Sequence, residues 1–207
     1  MASTLTKKNN LIGIVALALL VSVGLNVYDH FITIPKIQAT TNNMRIHAFN
    51  SWLNEMIATA YVLKKAVTLD EFHQAEICLR RAEPSVAALL AGIDPGTTSL
   101  YYWINRATDS LTYTVQQIEF LIAEALKYVN PSPLDQHIMS KIENITVAIN
   151  DLSDSLTPQI LDPWTHIEAD LILYLQDEGK LTDIVNYCKQ IHENSIDITD
   201  YVRDKLY

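Results

Sequence analysis

The sequence predicts an all-α protein in which an N-terminal transmembrane helix precedes an up-and-down antiparallel bundle of about five to six helices. Three observations support this prediction. Residues 11–25 form an uninterrupted apolar block without charge. Apolar residues recur every three or four positions through most of the remaining chain, which is the spacing of an amphipathic helix. Glycine and proline are few, five and seven among 207 residues, and most lie between the periodic segments.

The apolar block is the first predicted element. A helix over residues 11–28 would be about 27 Å long, close to the roughly 30 Å hydrocarbon thickness of a bilayer. Tyr28 and Phe31 stand where aromatic side chains favour the boundary between lipid and water. We therefore expect residues 11–34 to form a membrane anchor. Two other interpretations stay open, namely a secretory signal cleaved after Gly24 and a buried core helix.

The charges beside the block predict its orientation. Lys7 and Lys8 precede it, and only Lys36 follows it closely. Positive residues favour the cytoplasmic side, so we expect a single-pass protein of the cell membrane with its bundle outside the cytoplasm. The predicted segments are a cytoplasmic N terminus over residues 1–10, the anchor over 11–34, a juxtamembrane stalk over 35–43 and an extracytoplasmic bundle over 44–207.

The overall charge excludes two classes of partner. The chain has 24 acidic and 15 basic residues and a net charge of −9. The segment from residue 129 to the C terminus contains 14 acidic against 5 basic residues, so the second half of the chain is the more acidic. Nucleic acids and anionic lipid surfaces both require a basic surface, so neither is an expected partner of the bundle.

The first two bundle helices follow the stalk. Pro35 is expected to break or kink the chain where it leaves the membrane. Thr68 and Glu71 have the spacing of a capping box and predict the start of the second helix. This helix is expected to end before Gly92, with a kink or short break at Pro84. The predicted buried faces are Phe49, Trp52, Met56, Ala60, Leu63 and Val67 in the first helix, and Leu69, Phe72, Ala75, Leu79, Ala82, Val86 and Leu89 in the second.

The third helix is the most regular and is expected to form the central seam of the bundle. Its apolar positions keep a heptad-like spacing, as in a coiled coil, over about eight turns. These positions are Leu100, Ile104, Ala107, Leu111, Val115, Ile118, Ile122, Ala125 and Val129.

The remaining helices complete the predicted bundle. Ser132 is the expected N-cap of the fourth helix, with Asp135 completing a capping box. A short helix is expected from Pro163 to Gly179, and a last helix from about Leu181 to the C terminus. Short loops between long helices predict that consecutive helices are antiparallel neighbours. The apolar face of the fourth helix comprises Leu134, Ile138, Ile145, Ile149, Leu152 and Leu156.

Metal-ligating patterns are scarce in this chain. Carboxylate-type metal sites in bundles use Glu-x-x-His pairs, and the sequence contains none. Asp162, His166 and Asp170 share one helical face at four-residue spacing, and His73 with Glu76 does so at three-residue spacing. We predict no metal site and keep Asp162, His166 and Asp170 as weak candidates.

Catalytic and cofactor motifs are also missing from the sequence. It has no Gly-x-Ser-x-Gly elbow, no phosphate-binding glycine loop and no cysteine with an adjacent base. We therefore predict no catalytic residue and no cofactor. An extracytoplasmic enzyme with a dispersed site stays open as an alternative, with His166, Asp170 and His73 as the first residues to test.

Aromatic residues and cysteines supply the remaining candidates. Tyr101, Tyr102 and Trp103 open the third helix and Trp164 opens a later one, so they are candidate binding residues at one end of the bundle. The same four side chains could instead pack at the edge of the core. Cys78 and Cys188 are a candidate disulfide if the domain is exported and their helices are neighbours, and otherwise are free buried thiols.

The leading functional hypothesis is a membrane-anchored, non-enzymatic module for protein interaction or sensing on the extracytoplasmic face. Its partner would be an unknown protein or a second copy of the chain. In architecture alone the chain resembles the helical-bundle ligand domains of bacterial membrane receptors, and such a likeness does not assign a function. The alternatives are the dispersed-site enzyme and a secreted helical protein released by cleavage near Gly24.

Overall fold

The computed structural model describes residues 17–91, 99–127, 134–156, 175 and 179–206. Within these ranges 93% of the residues are helical and none lies in a strand, so the all-α prediction is confirmed. Ser132, Val129 and Pro163, which carried predictions, lie outside the described residues. The five helices in the described ranges are α1 (Leu17–Leu63), α2 (Leu69–Leu90), α3 (Ser99–Lys127), α4 (Gln136–Ser155) and α5 (Leu181–Leu206).

Helix α1 runs without interruption from the apolar segment into the bundle. Its residues Asp29–Thr33 form a π-helical turn, in which the Ile34 N–H donates to the Asp29 carbonyl five residues earlier. The α-helical part resumes at Ile34–Leu63, with Pro35 in its first turn. The chain therefore does not break at Pro35, and the predicted stalk is helical. A proline disturbs the bond to the carbonyl four residues before it, and that carbonyl lies here in the π-helical turn, where the bonding is already shifted.

The N-terminal part of α1 is the one segment of the described chain that could span a membrane by length and composition. None of its most apolar window is buried against other parts of the protein. Ile46 is the first buried side chain among the described residues, so the core of the bundle begins well after the apolar segment.

Helix α2 begins with the predicted capping box. The Thr68 hydroxyl accepts from the Glu71 N–H, and the Glu71 carboxylate accepts from the Thr68 N–H at 2.9 Å. Hydrogen bonds from the backbone N–H groups of Val67 and Thr68 lower the pKa of the Glu71 carboxyl. Helix α2 continues through Pro84 without a break. Val67 is exposed, contrary to prediction, because α1 ends at Leu63 and Val67 lies in the following turn.

Helix α4 is capped by a residue other than the predicted one. The Asp135 carboxylate accepts from the N–H groups of His137 at 3.1 Å and Ile138 at 3.2 Å. Asp135 is therefore the N-cap itself, and the prediction that it only completes a box begun by Ser132 is wrong. Aspartate and serine are about equally good N-capping residues, so the residue type alone could not decide between the two candidates.

The turn before α5 depends on Gly179. Its φ of 67° lies in the left-handed region that favours glycine. The Lys180 N–H next to it donates to the Leu175 carbonyl at 2.8 Å, which is the bonding expected where a helix ends at glycine. Gly179 thus ends a helical turn, at the position where the sequence predicts a helix end.

The helices are not arranged in sequence order. The neighbour order is α1, α2, α3, α5, α4 and back to α1, so α5 lies between α3 and α4. Helices α3 and α5 run parallel, because Lys189 faces Trp103 near both helix starts and Thr199 faces Thr114 further along. The expectation that consecutive helices are neighbours therefore fails for α3 and α4.

Buried hydroxyl groups explain part of this arrangement. The Thr114 hydroxyl of α3 donates to the Ser195 carbonyl of α5 at 2.8 Å and lies 2.9 Å from the Thr199 hydroxyl. A buried hydroxyl without a partner destabilises the fold, so Thr114 favours α5 as the neighbour of α3. Across the bundle, the Trp52 Nε1–H of α1 donates to the Thr108 hydroxyl of α3 at 2.9 Å.

The predicted apolar faces form one core. It includes the apolar stripe of α3 from Leu100 to Ile122, whereas Ala125 further along the stripe is half-buried, and the other four described helices contribute buried faces as well. The largest fully buried side chains are Trp52, Tyr101, Phe49, Phe72, Met56, Leu63, Leu79, Leu89, Leu100, Ile104, Leu111 and Ile118.

Candidate functional site

Of the described aromatic candidates, Tyr102 and Trp103 are in edge-to-face contact with ring centres 5.2 Å apart, whereas Tyr101 is turned into the core. Tyr101 is 1% exposed and belongs to the core, whereas Tyr102 is 42% exposed. Trp103 is half-buried, with the Lys189 ammonium 5.2 Å from its ring centre and the His192 ring 5.9 Å away. Successive residues of a helix point in different directions, which separates Tyr101 from Tyr102. Trp164, like the metal candidates Asp162, His166 and Asp170, lies outside the described residues.

The two cysteines are free thiols in the structure. Cys78 lies half-buried on α2 and Cys188 is fully buried on α5, and α3 stands between these two helices in the neighbour order. Burial raises the pKa of the Cys188 thiol to about 12. Cys188 therefore stays protonated at neutral pH and acts as a small apolar side chain.

A polar cluster joins α2 and α3. We call it the His73 cluster, and its acidic and imidazole members are His73, Glu76 and Glu119. His73 and Glu76 lie one turn apart on α2, and the antiparallel packing of α3 brings Glu119 opposite them. Gln116, one turn before Glu119, reaches Glu76 from the same side.

Glu76 is a buried carboxylate with a full set of donors on one oxygen. Its Oε1 accepts from Arg80 Nη2 at 2.7 Å, from Arg80 Nε at 3.0 Å and from Gln116 Nε2 at 2.8 Å. The Gln116 hydrogen bond, with help from Arg80, holds the pKa of the Glu76 carboxyl below its usual value in spite of burial. Glu76 is therefore ionised at neutral pH, and its Oε2 faces His73 Nδ1 at 3.4 Å.

The Glu119 carboxylate has fewer hydrogen-bond donors around it than the Glu76 carboxylate has. Its Oε1 atom is buried and accepts no hydrogen bond, and His73 Nδ1 lies 3.8 Å away. Burial, and then the negative charge of Glu76, raise the pKa of the Glu119 carboxyl. Two carboxylates that face one imidazole thus differ in their proton affinity because only one of them has close donors.

The His73 cluster is the set of groups in the described chain that could hold a metal ion. One ligand atom each from His73, Glu76 and Glu119 lie within 4.8 Å of one another. The sequence singled out His73 with Glu76 and missed Glu119. The sequence contains only a weak indication of Glu119. This residue directly follows Ile118, a residue of the buried stripe of α3, and so lies near the edge of a buried face.

A second polar network ties the start of α4 to the end of α5. Asp135 accepts from Tyr201 and Lys205, and Lys141 pairs with Asp197 at 2.9 Å. Burial alone would raise the pKa of the Asp135 carboxyl, but hydrogen bonds from Lys205 and Tyr201 hold it well below its usual value. The network consists of matched charges at a helix end, and such pairs are typical of structural contacts.

A groove of about 510 Å³ lies between the end of α1 and the outer side of α4. Lys64 and Glu143 are the ionisable side chains in its lining, next to apolar residues such as Leu63 and Met139. The lining of the groove is therefore mixed, with apolar side chains next to one acidic and one basic residue.

No protein-family model, no curated protein and no solved structure matches the chain. Function is therefore inferred from three features of the chain itself. They are the exposed apolar part of α1, the exposed aromatic side chains Tyr102, Tyr113 and Phe120 of α3, and the His73 cluster.

Proposed function

We propose that this chain is a single-pass protein of the cell membrane, in which α1 holds a helical bundle at the extracytoplasmic face for interaction with a protein partner or a second copy. The observation that carries the proposal is the division of α1 into two parts. Large apolar side chains such as Leu17, Leu20 and Val27 are exposed in its N-terminal part, whereas Phe49 and Trp52 in its C-terminal part are fully buried.

The exposed apolar surface supports insertion in lipid. Burial of one valine or leucine side chain is worth about 1.5–3 kcal/mol, so the set would contribute about 10 kcal/mol or more on transfer to a bilayer. Its members are Leu17, Leu19, Leu20, Val21, Val23, Leu25 and Val27.

The flanking charges support the orientation. Lys7 and Lys8 precede the apolar part and Lys36 follows it, and the positive-inside tendency then leaves the N terminus in the cytoplasm. The acidic composition of the segment after residue 128 keeps the bundle soluble and away from anionic headgroups.

The outer face of α3 supports the interaction role. We define it by Tyr102, Tyr113 and Phe120, three aromatic side chains that lie on one side of the helix and are each more than 40% exposed. Aromatic residues are enriched in protein interfaces because they bury a large area at a low cost in conformational entropy. A non-enzymatic function is consistent with this surface.

Site-directed labelling in intact cells tests the anchor and its orientation. Asn186→Cys places a thiol on the exposed side of α5, and Ser3→Cys places one before the apolar block, both in a Cys78→Ser background. A membrane-impermeant maleimide is expected to label Asn186→Cys in intact cells and Ser3→Cys only after lysis. Buried Cys188 is the internal control for unfolding, because it reacts only when the bundle opens.

The opposite labelling pattern would reverse the orientation. Recovery of the intact chain in the soluble fraction without detergent would refute the anchor. A mature chain that begins at Leu25 would instead support the secreted alternative.

A further inference from the structure

The His73 cluster presents three donor atoms in a geometry that a metal ion can use. His73 Nδ1 lies 3.4 Å from Glu76 Oε2 and 3.8 Å from Glu119 Oε1. Ligand atoms around a tetrahedral zinc ion, each about 2.0–2.2 Å from the metal, lie about 3.3–3.6 Å from one another. These two separations are close to that range, and the ligand atoms of all three residues lie within 4.8 Å of one another, so side-chain shifts would bring them onto one ion.

Glu76 is oriented for such a role by its neighbours. The donors of Arg80 and Gln116 all bind Oε1, so Oε2 is left facing His73. A ligating carboxylate in a metal site is commonly held in this way by hydrogen bonds to its other oxygen. Arg80 thus fixes the carboxylate without occupying the oxygen that would bind the ion.

Glu119 supplies an independent observation that points to a cation. Its Oε1 is buried and accepts no hydrogen bond, although buried carboxylate oxygens almost always have a partner. His73 Nδ1 is 3.8 Å from this oxygen, and the Glu76 carboxylate, which repels a second negative charge, faces the same imidazole. An ion between the two carboxylates would satisfy this oxygen and remove the repulsion.

We propose that His73, Glu76 and Glu119 bind one divalent transition-metal ion, for which zinc is the best probe. An imidazole nitrogen favours zinc and similar ions, whereas Mg²⁺ and Ca²⁺ prefer sites made only of oxygen. The His73 side chain is 58% exposed, so the ion can enter from solvent. Three protein ligands leave a fourth position for water. The ion would also link α2 to α3.

Zinc titration of the full chain in detergent micelles tests the proposal. Calorimetry is expected to show one zinc ion bound per chain. A free zinc concentration about 100-fold above Kd is expected to raise Tm by about 5–10 °C, because the ion binds the folded state only. His73→Ala and Glu119→Gln are each expected to weaken zinc binding by at least about tenfold.

Two matched variants outside the cluster serve as controls. His137→Ala removes an imidazole at the α4–α5 contact, and Glu124→Gln removes a carboxylate one turn further along α3. Both are expected to bind zinc as the unmodified chain does. Cobalt in place of zinc adds a spectroscopic readout: a tetrahedral visible absorption band is expected in the unmodified chain and in both controls, but not in His73→Ala.

Two results would overturn the proposal. The first is an unmodified chain that binds no zinc and shows no change in Tm on zinc addition. The second is zinc binding that is equally strong in His73→Ala, Glu119→Gln and the unmodified chain, which would place the ion on other surface groups. A fall in Tm of Glu119→Gln without metal, combined with no zinc binding by the unmodified chain, would identify the cluster as an ion-pair network only.

Discussion

Asp135 has two roles at the start of α4. Its carboxylate caps the first N–H groups of that helix and also accepts from Tyr201 and Lys205 of α5. The capping role requires only an acceptor oxygen, whereas the contact with Lys205 requires a negative charge. Substitutions at this one position can therefore separate the two contributions.

We expect Asp135→Ala to lower the free energy of unfolding by about 1–2 kcal/mol, because it removes the cap. Asp135→Asn keeps an acceptor oxygen, so we expect it to lower the free energy of unfolding by less than Asp135→Ala does. The pKa of Asp135 is lower in the folded chain than in the unfolded chain, so its charge stabilises the fold at neutral pH. This contribution begins to be lost below about pH 5 and disappears as the pH falls through the folded pKa.

Urea unfolding of the full chain in detergent between pH 7 and pH 3 measures this effect. Asp135→Asn is expected to lose less stability over that interval than the unmodified chain does. An equally steep loss in both proteins would mean that the charge of Asp135 contributes nothing.

Sequence reasoning at the residue scale succeeded where the partners are local. Thr68 and Glu71 are three positions apart, and their mutual hydrogen bonds follow from that spacing alone. Glu119 is 43 positions after Glu76, and only the packing of α2 on α3 brings the two together. Two of the three members of the His73 cluster were therefore visible in the sequence, and the third, Glu119, which depends on tertiary contacts, was not.

Helix α3 has a buried apolar face and an outer face with three exposed aromatic side chains. On the buried face Ile118 is 1% exposed, and on the outer face Phe120 is 49% exposed. The two residues are two positions apart and so point in different directions. They form a matched pair for the same substitution.

We expect Ile118→Asp to lower the free energy of unfolding by about 3–5 kcal/mol, because it buries an unpaired charge in place of an apolar side chain. Phe120→Asp is expected to change it by less than about 1 kcal/mol, because the carboxylate stays in water. Denaturant unfolding of the two full-length variants measures the difference. Equal losses would mean that the outer face is also part of the core.

The same pair tests the interaction role of the outer face. In native membranes, an amine-reactive crosslinker is expected to give an adduct with the unmodified chain that Phe120→Asp loses while it stays folded. An adduct that persists in Phe120→Asp would exclude this face as the contact surface.

The helices themselves were predictable, but their interruptions and neighbours were not. The apolar spacing identified the buried faces of α1 to α4 because each face repeats at the period of the helix. The breaks that Pro35 and Pro84 could have caused do not occur, since both prolines lie within continuous helices. The position of α5 between α3 and α4 depends on contacts such as that of Thr114 with Ser195, and no local rule contains them.

The molecule as a whole divides into an exposed apolar helix and a self-contained bundle. The core starts at Ile46, and none of the side chains described before it is buried. The core should therefore survive removal of the anchor.

Deletion of residues 1–33 is expected to yield a protein that is soluble without detergent and melts within about 4 °C of the full chain, a shift that corresponds to about 1 kcal/mol. Sedimentation of the detergent-free protein and its melting curve by circular dichroism measure the two properties. The matched control is deletion of residues 1–10, which leaves the apolar block in place and is expected to keep the need for detergent. Aggregation or unfolding of the shorter protein would show that the bundle depends on its anchor.

The place of α5 between α3 and α4 has a consequence for biogenesis. Until this 26-residue helix has emerged from the ribosome, the sides of α3 and α4 that it covers remain open to solvent. Contacts between distant parts of a chain form late, and open apolar surface invites aggregation in the meantime. A nascent chain would thus need a holding chaperone until α5 arrives, and a premature stop codon early in α5 would leave a product for proteolysis.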